Sequence, residues 1–376
     1  MVKRLLLLVM FSLVGCLIFG AEYRIGAVFA VTGPASWLGD PEKKTVEMLE
    51  EEINAQGGIN GVPIRVIVED TKGDETQTVN AVRKLITRDR VLAIIGPSRS
   101  GTTLAVIPIV EKYKVPLVSC AAAEAIVKPV KKWVFKTPQT DRFAVERIYQ
   151  YMKKKGIKRI GIITGTTGFG AQGRKHLLAL APKYGIEVVA DETYAPQDTD
   201  MTPQLLRIKA KNPQAIVNWS IVPGQAIVPR NMKELGMNIP LFQSHGFGNI
   251  KYVKAAGEAA EGIIFPAGRL LVADLLPDTH PQKKVLMEYK RKYESRYQEP
   301  VSTFGGHAYD AFWLIVNALK AVGPDRAKIR DYIENTKNFV GTGGIFNFSP
   351  EDHNGLDIEA FEMLTVKNGK FTLLGD

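Results

Sequence analysis

The sequence contains very little cysteine, with Cys16 and Cys120 as the two cysteines among its 376 residues. Cys16 lies in an apolar N-terminal stretch that we expect to be removed or lipidated, so the sequence predicts no disulfide within the mature chain. Cys120 follows a predicted strand, where we expect a small buried residue and not a reactive thiol.

Histidine is scarce as well, and the wide spacing of the five histidines does not match the common metal-binding motifs. We therefore predict no metal site and no cofactor. His245 ends a predicted strand beside Ser244, a position where α/β sheets present ligand-binding residues. His307 lies near the start of a predicted helix, where it either contacts ligand or packs. We expect His176 and His353 to lie at the surface.

The sequence also lacks a recognisable nucleophile motif. Ser98 and Ser100 stand near glycines, but the stretch has no strand–turn–helix elbow of the G-x-S-x-G type. We find no pairing of a base with a nucleophile elsewhere in the chain. These absences predict a protein that is not an enzyme.

One glycine pattern resembles a dinucleotide-binding loop, but its context does not favour that interpretation. Gly168 to Gly173 fits G-x-G-x-x-G between a predicted strand and helix, and Asp191 follows about 20 residues later. The glycines, however, begin several residues after the strand ends. We interpret the segment as a loop that carries Phe169 to a cleft, with Gly173 allowing the next helix to pack closely.

The chain is basic, with a formal net charge of +10. Its lysines are scattered over predicted helix faces in short groups such as Lys153-Lys154-Lys155, without a single basic stripe or a recognition motif. Nucleic-acid binding requires such a localised stripe. The charge therefore indicates a solvated surface, and we predict no nucleic-acid partner.

The N-terminus reads as a secretory signal peptide over residues 1–21. Lys3-Arg4 is followed by an apolar run from Leu5 to Phe19. That run is shorter than the roughly 20 residues that a membrane-spanning helix needs. We expect an exported, periplasmic protein.

Two processing routes remain open for this signal. Leu13-Val14-Gly15-Cys16 matches the lipobox that leads to a lipid anchor on Cys16. The residues after Cys16 stay apolar, however, where lipoproteins usually turn polar, and Phe19 is an unusual neighbour for the alternative, ordinary cleavage near Gly20 or Ala21.

Strand and helix patterns alternate through most of the chain, which predicts an α/β fold with parallel sheets and helices on both faces. Two such series of similar length predict two doubly wound lobes. Asp40 is predicted to cap a helix that begins at Pro41. At the C-terminus, the segment from Phe361 to Leu374 is typical of a hairpin with Asn368-Gly369 in its turn.

The sequence pattern alone indicates the strand–helix–strand unit from Leu92 to Glu124 as the best candidate for ligand binding. Its two buried strands end in loops rich in small and hydroxyl residues, and ligands in open α/β sheets bind beyond the carboxyl ends of the strands. Hydroxyl and amide groups without a strong base suit the binding of an anion.

Several short segments together resemble one protein family over essentially the whole mature chain. They are Thr32-Gly33-Pro34-Ala35, Ile53 to Gly61, Ile94-Ile95-Gly96-Pro97, Asn231 to Gly236, Ala259 to Gly262 and His307 to Ala311. The family is that of the substrate-binding proteins of ABC transporters of the leucine/isoleucine/valine class, the type I periplasmic binding proteins.

This resemblance implies two lobes joined by three hinge crossovers, near Thr137-Pro138, Phe265-Pro266 and Gly341–Gly344. The first lobe would comprise residues 22–137 and 266–341, and the second residues 138–265 and 342–376. A small-molecule ligand would bind between the lobes and be trapped by hinge closure. The closed protein, expected to be a monomer, would then dock on an ABC permease at the membrane.

The resemblance also implies ligand contacts on the first lobe. Ser100 matches the serine whose hydroxyl and amide hold the ligand carboxylate. Ala121, Ala122 and Ala123 match an Ala-Ala-Thr loop, so the threonine hydroxyl of the family is missing here. Trp37, or its neighbour, matches the aromatic lid of the first loop.

On the second lobe and at its border, Phe169 and Phe304 match an aromatic and an apolar wall residue of the family. His245 stands where the family has an acidic residue that pairs with the ligand ammonium, and Ile221 where it has a tyrosine. Burying an ammonium group without a charged partner is costly. We therefore expect a small organic carboxylate, aromatic or branched, in preference to an α-amino acid.

The predicted function is an extracytoplasmic solute receptor of an ABC importer. Two alternatives remain open: an amino-acid-binding protein of the same family, and a ligand-sensing receptor subunit that takes no part in transport.

Overall fold

The structure is a computed structural model that describes residues 22–375. The predicted signal peptide over residues 1–21, with its Cys16, lies outside the described residues. Among the residues that are described, no helix is both long and apolar enough to span a membrane.

The N-terminal part of the chain forms a five-stranded parallel sheet with helices between its strands. The strands are mostly buried, as the runs of Val, Ile and Ala in the sequence predict. The strand order across the sheet is second, first, third, fourth and fifth. In chain order the elements are β1 (Tyr23–Phe29), α1 (Ser36–Ala55), β2 (Ile64–Asp70), α2 (Glu75–Thr87), β3 (Ala93–Ile95), α3 (Ser100–Tyr113), β4 (Leu117–Ser119) and β5 (Val134–Lys136).

The strand β5 is not predicted by the sequence pattern. It is only three residues long and ends in Lys136, a residue type that is depleted in strands and rarely buried. The strand nevertheless pairs with β4, with Lys136 opposite Ser119, and the Lys136 side chain is fully buried.

The next part of the chain repeats the alternation and builds a second sheet. Its strands and helices agree with the predicted series to within a few residues at most ends. In chain order they are α4 (Asp141–Lys154), β6 (Arg159–Gly165), α5 (Gly168–Leu180), β7 (Glu187–Tyr194), α6 (Thr202–Lys209), β8 (Ala215–Trp219), α7 (Gly224–Glu234), β9 (Leu241–Gln243), α8 (Ile250–Ala256) and β10 (Ile264–Ala267).

The C-terminal part consists of three helices, a two-stranded ladder and a hairpin. The hairpin confirms the Asn-Gly prediction, since Asn368 and Gly369 have φ values of 52° and 68°, as a type I′ turn requires. These elements are α9 (Lys283–Tyr297), α10 (Thr303–Val322), α11 (Arg326–Glu334), β11 (Phe339–Val340), β12 (Ile345–Phe346), β13 (Glu362–Lys367) and β14 (Lys370–Leu373).

The hairpin extends the second sheet, whose seven strands run in the order β14-β13-β10-β9-β8-β6-β7. The pairings from β6 to β10 are parallel, whereas β13 is antiparallel to both β10 and β14. The architecture therefore agrees with the predicted α/β fold of two lobes built on mostly parallel sheets.

The packing of the cores bears on where the chain crosses between the lobes. The helices α1, α9 and α10 pack on the first sheet, around residues such as Ile25 and Ile315, and Phe348 and Ala360 belong to the same core. Phe361 belongs to the core of the second sheet. Phe348 and Ala360 thus share a core with the first sheet, although the predicted boundaries assign residues 342–376 to the second lobe. The predicted crossovers and lobe boundaries stay predictions.

The helix α1 begins earlier than the sequence predicts. Asp40 was expected to cap a helix starting at Pro41, but the helix starts at Ser36 and contains Pro41. Because proline has no N–H, the carbonyl of Trp37 one turn earlier loses its helical donor. The side chain of Asn249 donates to that oxygen at 2.9 Å. A partner distant in sequence therefore makes the early start possible.

The expectation that His353 lies at the surface is wrong. The side chain is fully buried and stacks on Phe135, with ring centroids 4.2 Å apart. Its Nδ1 lies 2.8 Å from the carbonyl oxygen of Val134, and its Nε2 lies 3.1 Å from Oε1 of Glu334. His176 is half-buried, with Nε2 3.4 Å from Oδ1 of Asp141.

Candidate functional site

A cavity lies where the carboxyl ends of strands from both sheets face each other, and the space not filled by atoms there is about 340 Å³ when the open solvent at its mouth is included. This is where open α/β sheets place their ligands. The lining residues are Leu38, Ser98, Ser100, Cys120, Ala121, Ala122, Pro138, Phe169, Ile221, His245, Gly246, Phe304 and His307.

Seven of the nine residues predicted to bind ligand line this cavity, and Trp37 and Ala123 do not. Trp37 packs edge-on against Tyr252, with ring centroids 4.9 Å apart, while its neighbour Leu38 reaches the cavity. Ala123 is fully buried behind the lining residues of its loop. Ligand roles for all nine residues stay predictions.

The wall that the first sheet contributes has few free polar groups. The hydroxyl oxygen of Ser100 accepts a hydrogen bond from the amide of Ala123 at 3.3 Å, and the amide of Ala121 donates to Oγ of Ser119 at 3.1 Å. Among residues 22–375, the amide of Ala122 has no acceptor. The amides of Ala121 and Ala123 are therefore already used within the protein. The donors left for a ligand are the Ala122 amide and the Ser100 hydroxyl.

Ser98 also lines the cavity, although its sequence context suggested only a possible nucleophile and no ligand-binding role. Its Oγ accepts from the amide of Ala30 at 3.0 Å and donates to the carboxylate of Glu42. Glu42 is fully buried, and burial raises its pKa well above the ordinary value. The Ser98 hydroxyl is therefore already engaged on its donor side.

His245 dominates the opposite wall. Its imidazole is surrounded by the rings of Phe169, Trp219 and Phe361, with centroids 5.3–5.6 Å away. Both ring nitrogens are buried and have no hydrogen-bond partner among the residues that the structure describes. Burial, together with the charge of Lys136, lowers the pKa of His245 well below its ordinary value. The ring is therefore neutral, with one donor and one acceptor unused.

His307, at the start of α10, is the second histidine of the cavity. Its side chain is buried, and its Nδ1 has no partner within residues 22–375. Burial, followed by the charge of Lys136, lowers the pKa of His307 to about 3. The sequence allowed either ligand contact or packing for His307, and the structure places its ring at the cavity.

Phe169 reaches the cavity from a helix and not from the loop that the sequence predicts. The helix α5 begins at Gly168, because the side chain of Thr167 accepts the Gly170 amide at 3.2 Å. Phe169 stacks on Trp219, with centroids 5.6 Å apart. At Gly173 a Cβ atom would lie 2.0 Å from Nε1 of Trp219, so the predicted close helix packing is confirmed.

Two fully buried ionisable residues, Lys136 and Glu42, lie next to the lining of the cavity in sequence or by a hydrogen bond. None of the lining residues is acidic. The fully buried Lys136 lies two residues before the lining Pro138, and its charge acts on His245 and His307. The carboxyl group of Glu42 accepts a hydrogen bond from the lining Ser98 on the opposite wall from His245.

Residues of the two predicted lobes also contact each other at the rim of the cavity. Besides the bond from Asn249 to Trp37, the amide of Thr303 donates to the carbonyl of Gly248 at 3.0 Å. Lys251 lies 3.5 Å from a carboxylate oxygen of Glu299. Three contacts thus join residues of the two predicted lobes near the cavity.

Comparison with protein families gives a match along nearly the whole described chain. The model of the family described as periplasmic binding protein matches residues 22–370. A curated relative from Pseudomonas aeruginosa, the leucine-, isoleucine-, valine-, threonine-, and alanine-binding protein, is 24% identical over 349 residues, which cover 90% of this chain and 89% of that protein.

Solved structures show the same fold. An extracellular ligand-binding receptor from Rhodopseudomonas palustris HaA2 has a TM-score of 0.89 and 31% identity, covering 94% of this chain and 100% of that one. The branched-chain amino acid transporter substrate binding protein LivJ from Streptococcus pneumoniae, solved in complex with isoleucine, has a TM-score of 0.83 and 28% identity, covering 93% of this chain and 98% of that one.

Proposed function

This chain belongs to the periplasmic binding protein family, and on that premise we propose that it is the receptor of an ABC importer for a small organic carboxylate without an amino group. The observation that carries the proposal is His245, whose two buried nitrogens have no partner in the described chain, in a cavity lined by no acidic residue. Burial of a ligand ammonium group there would lack the charged partner that makes it tolerable.

The first wall supplies groups suited to a carboxylate. The Ser100 hydroxyl and the Ala122 amide are free to donate, and Ser100 begins α3, whose first-turn amides find no acceptor in the side chain of the capping residue Arg99. Amides at a helix N-terminus favour an anion. His245 would donate one further hydrogen bond or accept one from a polar ligand atom.

The rest of the ligand would contact apolar side chains. Phe169, Ile221 and Phe304 line the cavity together with Leu38, and all four are buried. Such walls favour a branched or aromatic body, since apolar area removed from water stabilises binding. The proposed ligand is therefore an aromatic acid or a branched keto acid.

The relatives favour an alternative ligand class. The relative from Pseudomonas aeruginosa is named for binding five amino acids, and the structure from Streptococcus pneumoniae holds isoleucine. An α-amino acid in this cleft would need its ammonium group to be held by neutral groups, such as the free acceptor nitrogen of His245. A ligand-sensing receptor subunit is the second alternative, and it would use the same cleft.

A matched pair of ligands tests the proposal. Leucine and its keto acid share a carbon skeleton and differ in having an amino group or a carbonyl group, so calorimetry of the purified mature protein with both reports the cost of the ammonium. Benzoate tests the aromatic class. We expect the keto acid or benzoate to bind more tightly than leucine. Tight binding of leucine without binding of either acid would refute the proposal in favour of the amino-acid alternative.

The cellular context of the proposal has its own tests. The family is extracytoplasmic, and we propose export through residues 1–21 and delivery of ligand by a monomer to an ABC permease. The mass of the N-terminal peptide of the mature protein distinguishes lipidation of Cys16 from cleavage near Ala21. Loss of uptake of the bound acid on deletion of the gene would separate transport from sensing.

A further inference from the structure

The fully buried Lys136 has a role that the proposed function does not yet assign. Its Nζ donates to the carbonyl oxygen of Pro138 at 2.7 Å. Among residues 22–375, no carboxylate oxygen lies within ion-pair distance of Nζ. An ammonium group that is removed from water in this way usually has a charged partner, because desolvation of an unpaired ion is expensive.

The charged and titratable groups that face Lys136 come from several elements. They are Asp141, Asp352, Glu124, Lys128, His245 and His307.

The acidic groups in this set make no ion pair with Lys136, although Oδ2 of the buried Asp141 has no hydrogen-bond partner among the described residues. Asp141 Oδ1 accepts the amides of Glu124 and Arg142 at 3.0 and 2.9 Å, and Asp352 Oδ1 accepts the Asn354 amide at 2.9 Å. They attract Lys136 from a distance without contacting it. The charge of Lys136 is therefore only partly offset by the protein itself.

The position of Lys136 next to the cavity suggests which group neutralises the rest of its charge. Pro138, which accepts the Nζ hydrogen bond, lines the cavity, and the charge of Lys136 acts on both cavity histidines. We propose that Lys136 determines specificity as the buried counter-charge of an anionic ligand and gains a proton when that ligand binds. This inference rests on the proposed function, because it requires the ligand to be an anion.

The titration behaviour of Lys136 agrees with this role. Burial lowers the pKa of Lys136 to about 7, although Asp141 and Asp352 oppose the shift. The empty protein therefore holds a mixture of neutral and charged lysine near neutral pH. A bound anion stabilises the charged form and raises the pKa, so binding takes up a proton, and affinity falls as pH rises above about 7.

The test is calorimetry with the leucine keto acid and with benzoate, in pairs of buffers that differ in ionisation enthalpy, between about pH 6 and pH 9. Wild-type protein should take up a fraction of a proton on binding at the alkaline end. Lys136→Met should bind the acid about tenfold more weakly near neutral pH and take up no proton. Lys136→Arg, whose guanidinium stays charged, should keep its affinity across this pH range.

Each outcome decides between the two proposals. Proton-independent binding of the acid by wild-type protein, or wild-type affinity in Lys136→Met, would overturn the role of Lys136 and leave the proposed function standing. Binding of leucine without either acid by wild-type protein would overturn the proposed function and this inference with it. The wild-type proton uptake decides the question even if a variant fails to fold.

Discussion

The two walls of the cavity differ in how completely the protein satisfies their polar groups. On the first wall, Ser98 and Ser100 are already bonded to groups of their own lobe. On the second wall, His245 is equally buried but neither of its nitrogens has a partner among the described residues. A buried polar group left unpaired costs about 1–3 kcal/mol, which a ligand that bonds to it recovers. Under the proposed function, the first wall binds the ligand carboxylate through the donors it leaves free, the Ser100 hydroxyl and the Ala122 amide, whereas His245 of the second wall selects the ligand.

The largest expected effect on ligand affinity comes from replacing His245. His245→Asp would place a carboxylate where an ammonium needs one and would repel a ligand carboxylate. We expect the leucine keto acid to bind about 100-fold more weakly and leucine to bind more tightly, as calorimetry with both ligands would measure.

The matched control for this substitution is His280→Asp, which introduces the same charge at a half-buried histidine that does not line the cavity. It should leave both affinities unchanged. Unchanged keto-acid affinity in His245→Asp itself would mean that the second wall does not select the ligand.

A pair of serine variants tests the first wall, with a smaller expected effect. Ser100→Ala removes a free donor to the ligand carboxylate, and we expect the acid to bind about tenfold more weakly. Ser98→Ala removes the hydrogen bond to buried Glu42, so it should lower the free energy of unfolding more than it lowers affinity. Calorimetry and urea unfolding of both proteins measure the two effects, and the reverse ranking would contradict the comparison of the walls.

The hydrogen bond from Asn249 to Trp37 at the rim of the cavity should contribute less to ligand affinity. Asn249→Ala removes both the bond to Trp37 and the cap on α8, in which Asn249 accepts the Lys251 amide at 3.0 Å. Asn249→Ser keeps a capping hydroxyl but is too short to reach Trp37. Both variants should bind the acid about fivefold more weakly, and the alanine protein alone should lose additional stability. Wild-type affinity in the serine variant would show that the rim bond does not support the closed cleft.

The alternation of strands and helices could be predicted because local periodicity carries it. The buried runs of β3 and β4 and the Asn-Gly turn of the terminal hairpin depend on neighbouring residues. The start of α1 could not be predicted, because the helical carbonyl opposite Pro41 finds its donor in Asn249, over 200 residues away. Burial of His353 likewise depends on partners over 200 residues away, Val134 and Phe135.

The candidate site was predicted in large part through strand ends and the family resemblance. Ser100 and His245 follow the carboxyl ends of their strands, and the structure brings them to one cavity. Lys136 was missed, since a lysine at the end of a three-residue segment has the pattern of an exposed residue. Its burial results from packing that local sequence does not encode.

The smallest expected effect concerns the two histidines of the cavity. Burial lowers the pKa of His307 to about 3, and burial with the charge of Lys136 lowers the pKa of His245 well below its ordinary value, so we expect neither ring to titrate as an ordinary histidine. An imidazole that gained a proton between about pH 5.5 and 6.5 would strengthen anion binding as pH falls. We therefore expect the affinity for the leucine keto acid, measured by calorimetry, to change less than about twofold over this interval. A rise toward acidic pH with a midpoint near 6.5 would show a histidine with ordinary titration, and the second wall would then select its ligand by charge and not by neutral hydrogen bonds.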